Sequence, residues 1–210
     1  MVHTVHPVPP PRRPLDPGTS GRVRQWYENE LGWATAPGEP VRLVTGVRFD
    51  VLEVPAEAGF AALRHLGPGS PVAMYAGRMR LLVAAGSAEE LPGLLDWLEW
   101  GALALDLTAT GAGGQTEAPL PPGCVPASPP DPAGTPGSRP LPLDRAVSQG
   151  AAVWLRPPEP GCEVEQVLPT LSAMGGGGGA PDLVRLVDTV ATQCHRVRLR
   201  RACAQPIAFS

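Results

Sequence analysis

The chain contains no lysine: all 17 basic residues among its 210 positions are arginine, and asparagine and isoleucine occur once each, as Asn29 and Ile207. Such a bias is what a GC-rich genome produces, so the arginines alone say little about binding. Long apolar runs are missing too. Nothing approaches the roughly 20 consecutive apolar residues of a membrane span. No apolar stretch follows Arg12 and Arg13 to make a secretory leader. Neither secretion nor membrane insertion is therefore expected. The four cysteines, at 124, 162, 194 and 203, show no Cys-x-x-Cys spacing. That argues against a zinc site or a disulfide framework and for reduced thiols in the cytoplasm. Excess charge of one sign is also lacking. A formal charge of −3 is too near neutral to imply a nucleic-acid or membrane partner by bulk electrostatics.

Proline and glycine are plentiful, at 28 and 25 residues. Together they make up about a quarter of the chain, where about an eighth is ordinary. Much of the chain is thereby excluded from regular structure. With 43 % hydrophobic and 18 % charged residues, enough apolar surface remains for one core, which excludes a wholly disordered chain. The prolines are clustered, six within residues 7–17 and ten within 119–142. Such stretches favour polyproline II and build neither a helix interior nor a central strand. Gly175 to Gly179 form a third break. The expected organisation is a disordered tail at 1–20, a core at 22–118, a Pro-rich linker or loop at 119–149, and a strand and helix at 150–203 that pack back onto the core.

Within the core the hydrophobic period alternates. Residues 22–31 read as a short helix closed by Gly32. Residues 41–44 and 47–54 read as strands, and 56–66 as a helix with Phe60, Leu63 and Leu66 on its apolar side. Residues 72–75 and 79–84 make a hairpin. Ser87 and Glu90 have capping-box spacing at the start of the next helix, with Pro92 as the competing first residue. Residues 103–107, 115–118 and 151–155 read as strands. Residues 182–201 form the strongest helix, with Leu183, Leu186, Val187, Val190, Cys194 and Val197 at three- and four-residue spacing. Strands that follow one another without helices predict an α+β fold with a mixed sheet and flanking helices.

Several short motifs occur in order: Thr45-Gly46, Phe49-Asp50-Val51-Leu52-Glu53-Val54-Pro55, Gly77-Arg78-Met79-Arg80, Ala104-Leu105-Asp106-Leu107, Gly113-Gly114 and Ala118-Pro119. This ordered set resembles the N-terminal domain of bifunctional DNA primase/polymerases, of the archaeo-eukaryotic primase superfamily, over residues 26–122. The resemblance implies a first motif with acids at i and i+2 of a strand, a second that is basic or Gly-rich with a histidine, and a third that supplies another aspartate. On a strand, i and i+2 share a face, so two carboxylates there hold a divalent metal pair against nucleotide phosphates. Glu53 matches the first acid and Asp106 the third. Pro55 stands where the second acid belongs and Met79 where the histidine belongs, while Arg78 and Arg80 keep positive charge. Asp50 and Glu53, three apart, face opposite sides of a regular strand.

The resemblance therefore implies a primase/polymerase-like domain with degenerate motifs that binds nucleotide or nucleic acid. In the alternative, it is an active nucleotidyltransferase that uses Mg²⁺ or Mn²⁺ with a reduced acid set, Glu57 or Asp50 being recruited. In a third reading the Pro-rich segments bind a protein partner. Glu53 and Asp106 read equally as solvated strand-end carboxylates. Arg78 and Arg80 read as a hairpin edge or as phosphate ligands. Arg196, Arg198 and Arg200 read as phosphate-backbone contacts or as cations favoured at a helix C-terminus. Trp97 and Trp100 read as core and surface anchors.

Overall fold

The computed structural model describes residues 18–124, 151–171 and 181–203. Of the segments expected to be irregular, 1–20, 119–149 and 175–179, residues 1–17, 125–149 and 175–179 lie outside the described residues. The chain enters by α1 (Thr19–Gln25), which continues as a π-helical turn over Trp26–Glu30, so regular structure begins inside the expected tail. The strands and helices then follow as β1 (Thr35–Ala36), β2 (Arg42–Val44), β3 (Phe49–Pro55), α2 (Ala56–Ala62), β4 (Val72–Tyr75) and β5 (Arg78–Ala84). After them come α3 (Ser87–Trp97), β6 (Thr108–Thr110), β7 (Gln115–Glu117), β8 (Val153–Arg156) and α4 (Leu183–Cys203).

The fold is α+β. One sheet has the order β6-β3-β5-β4-β8 and the other β1-β2-β7, and all strand pairs within them are antiparallel. Strand pleating divides the five-stranded sheet into two faces. Leu52, Val54, Val72, Met74, Met79, Leu81 and Val83 point to the helices. There they bury against Ala58 and Ala62 of α2, Leu91 and Leu94 of α3, and the apolar stripe of α4. Phe49, Val51 and Leu82 point the other way, onto Leu43, Tyr27, Trp33 and Leu168, so the smaller sheet and the first helix close a second core.

Several local expectations yield to tertiary packing. No strand covers 103–107. The strand begins at Thr108, because residues 101–104 are exposed while Leu105 and Leu107 pack against the helical core. Ser87 caps nothing and Pro92 lies inside α3. Gly86, whose φ is 91°, is the N-cap residue, and the carboxylate of Asp50 accepts the Ala88 N–H at 2.9 Å. A side chain from β3 thus does the capping that the local sequence was expected to do. On α2 the buried face is Ala58, Gly59 and Ala62, whereas Phe60 is exposed. Close approach of the helix to β5 leaves room only for small side chains. The expected linker begins too early at 119: Pro119 O accepts from Tyr27 Oη at 2.7 Å, and Leu120 N–H bonds Ala152 O at 2.9 Å.

Candidate functional site

Glu53 and Arg80 are direct cross-strand partners in the β3–β5 register, and Arg78 sits opposite Pro55, two residues further along the same face. The register follows from a two-residue hairpin turn in which Ala76 and Gly77 both adopt left-handed φ, at 46° and 77°. Glycine takes that conformation freely, which closes the hairpin and starts β5 at Arg78. Pleating then sends Arg78 and Arg80 to the face away from the helices, and Met79 to the opposite one. Met79 is wholly buried in the helical core. The residue at the resemblance's histidine position is therefore a core side chain that cannot reach the site.

Asp106 arrives by a different route. The segment after α3 turns at Glu99, with φ 66°, and is pinned to α4. Trp100 Nε1 donates to Asp188 Oδ1 at 3.1 Å, Arg198 donates to Ala104 O, and Cys194 Sγ lies 3.5 Å from Asp106 O. Burial and the neighbouring Asp106 push the Cys194 thiol up to about 11, so this cysteine is a neutral packing group.

The two acids meet through one guanidinium. Arg78 Nε donates to Glu53 Oε1 at 2.7 Å and Arg78 Nη1 to Asp106 Oδ1 at 2.7 Å, while Nη2 reaches Glu53 O at 3.2 Å. Arg80 Nε donates to Glu53 Oε2 at 2.8 Å. Arg80 also reaches Glu117 O at 3.4 Å and places Cζ 4.2 Å from the centre of the Tyr75 ring. Arg201 Nη1 stands 3.6 Å from Asp106 Oδ2, and Arg200 pairs with Glu57 at 2.5 Å. Burial lowers the pKa of Arg78, but the hydrogen bonds to Asp106 and Glu53 outweigh it and hold the group above its ordinary value. Its charge is permanent at any working pH.

The recruits of the enzymatic alternative stay apart from this cluster. Asp50 lies on the helical face, fully buried, and is committed to α3. Glu57 is held by Arg200. Of the basic helix end, Arg198 and Arg200 have protein partners, while Arg196 is exposed and has none among the described residues. Tyr75 belongs to the site although no local pattern singles it out, whereas Arg201 closes the run of arginines at 196, 198, 200 and 201 that ends α4. Trp97 is no core anchor. It is 71 % exposed, while Trp100 packs its ring 6.0 Å from that of His195.

The residues present do not fit a divalent metal pair. Each of the four carboxylate oxygens of Glu53 and Asp106 faces a guanidinium nitrogen. Among the described residues no three His, Cys, Asp or Glu side chains converge so as to hold a metal ion. All four cysteines are free, and among the described residues no helix is long and apolar enough to cross a membrane. No family model, no curated protein and no solved structure matches the chain.

Proposed function

We propose that the chain is a primase/polymerase-like domain with degenerate catalytic motifs, whose remaining role is to bind nucleotide or nucleic acid through arginines. One observation carries the reading. Arginines from elements more than a hundred residues apart, Arg78 and Arg80 on β5 and Arg201 on α4, meet around the two acids that match the resemblance. The exposed Arg196, Arg198 and Arg200 extend the positive charge along the same helix. Phosphate ligands are held by such clusters through charge-assisted, often forked, hydrogen bonds. Polymerisation requires carboxylates that are available to metal ions, and both candidates are engaged by guanidinium groups.

Binding and catalysis separate in two assays on one preparation. Filter-binding titrations over a range of salt report arginine–phosphate pairs. Removal of one such pair reduces the slope of log affinity against log salt by about 0.9, so replacing Arg196, Arg198 and Arg200 together by Ala flattens it by up to about 3. Primer synthesis and extension stay at background with Mg²⁺ or Mn²⁺. An unchanged slope assigns these three arginines to helix capping and surface solvation. Robust synthesis that is abolished by Asp106→Ala restores the enzyme and overturns the proposal. The scaffold reading depends on Pro-rich segments that, save for residues 119–124, lie outside the described residues.

A further inference from the structure

We propose that Arg78 is a resident cation: its guanidinium fills the place between Glu53 and Asp106 that a divalent metal ion would need, so phosphates at this edge are bound without metal. The inference deepens the nucleotide-binding reading of the same site, and its first test does not depend on that reading.

The geometry is that of a bridging cation. One planar group touches an oxygen of each acid at 2.7 Å, a charge-assisted distance, and a third donor reaches the Glu53 carbonyl. Arg80 neutralises the second oxygen of Glu53 from the opposite strand, and Arg201 approaches the second oxygen of Asp106. A metal ion would have to displace the guanidinium and then sit beside it, at Coulombic cost against two further arginines. The bridge is also built in place. Arg78 follows directly on the left-handed hairpin turn, and the β3–β5 register fixes its direction. Around the acids stand three guanidinium groups for two carboxylates, which leaves net positive charge for an anion without any added ion.

Mn²⁺ binding to the full chain, read from the loss of the free-ion electron paramagnetic resonance signal, tests this directly. The wild-type chain takes up no Mn²⁺ that depends on Asp106, and Asp106→Asn changes nothing. Arg78→Ala gains affinity by about tenfold or more as one oxygen of each of the two carboxylates becomes free. Adding Asp106→Asn to that variant removes the gain. Arg78→Gln, which keeps length and polarity, gives the same gain should the alanine variant lose its native circular dichroism. Arg48→Ala is the control for bulk charge. It removes one positive charge and frees Glu165, an acid that Arg48 holds at 2.6 Å beside Glu163, but leaves the Glu53 and Asp106 pair untouched and produces no Asp106-dependent gain. Asp106-dependent Mn²⁺ binding by the wild type, or equal gains in the Arg78 and Arg48 variants, overturns the proposal. So does failure of folded Arg78→Ala and Arg78→Gln to gain affinity.

A second arm compares oligonucleotide affinity in EDTA and in Mg²⁺ at matched ionic strength. Equal affinities support metal-free binding, and a Mg²⁺ requirement contradicts it. If the wild type binds no nucleotide or oligonucleotide at all, the proposed function fails while the Mn²⁺ result still decides the identity of the resident cation.

Discussion

Truncation of the two acids should have unequal consequences for stability, although both pair with Arg78. Glu53 holds Arg78 and Arg80 at once, and the Arg80 side chain is only 10 % exposed. Glu53→Ala leaves that guanidinium with one long hydrogen bond, 3.4 Å to Glu117 O, and the Tyr75 ring. Removing one partner from a fully buried pair costs about 3–5 kcal/mol. Because the Glu53 and Arg78 side chains are 25 % and 27 % exposed, water recovers part of this, and about 2–4 kcal/mol is expected. Asp106 is 41 % exposed, and Arg78 keeps Glu53 when the aspartate is removed. Asp106→Ala should therefore cost under about 1 kcal/mol. Replacing Glu53 by Leu and Arg80 by Met together removes the stranded charge, and should cost less than Glu53→Ala alone. Urea unfolding followed by circular dichroism measures all three. Equal losses of stability from Glu53→Ala and Asp106→Ala would refute the burial argument. A double variant as unstable as Glu53→Ala would do the same.

Gly59 and Asp50 provide two further tests on the helical side of the sheet. A Cβ at Gly59 would lie 2.7 Å from Met79 Cβ and 2.5 Å from its Sδ. Gly59→Ala therefore sets a helix-propensity gain of about 1 kcal/mol against overpacking of about 1–3 kcal/mol. A net loss of up to about 2 kcal/mol is expected in thermal or urea melts, and a stabilised variant would show that α2 moves away from β5 freely. Burial raises the pKa of Asp50, against the lowering effect of the Ala88 N–H. The folded state therefore holds the proton more tightly than the unfolded state. The contribution of Asp50 is most favourable in acid and is lost as pH rises through its folded pKa. Relative to Asp50→Asn, the wild type should gain stability between pH 7 and about pH 4 in paired unfolding titrations. A difference that does not vary with pH would contradict the raised pKa.

Periodicity within single elements determined much of this molecule without help from tertiary structure. The three- and four-residue recurrence of Leu183, Leu186, Val187, Val190, Cys194 and Val197 places α4 and its buried stripe. The Ala76-Gly77 turn between apolar runs places the β4–β5 hairpin. Strand parity alone sends Asp50 and Glu53 to opposite faces, and in the structure one enters the helical core while the other joins the arginines. These features are local, because side-chain direction follows from backbone pitch over a few residues. Tertiary structure decided what such directions serve. That Asp50 caps α3, that Phe60 is left in solvent while Gly59 meets Met79, and that 103–107 is a pinned loop all depend on packing between distant segments. The site itself is of this kind. Glu53, Arg78, Asp106 and Arg201 span most of the folded chain, and each is an ordinary acid or base in its own neighbourhood. Only sheet register and the docking of α4 bring their charges within a few ångströms, where Coulomb energy in a partly desolvated setting becomes large enough to select one arrangement.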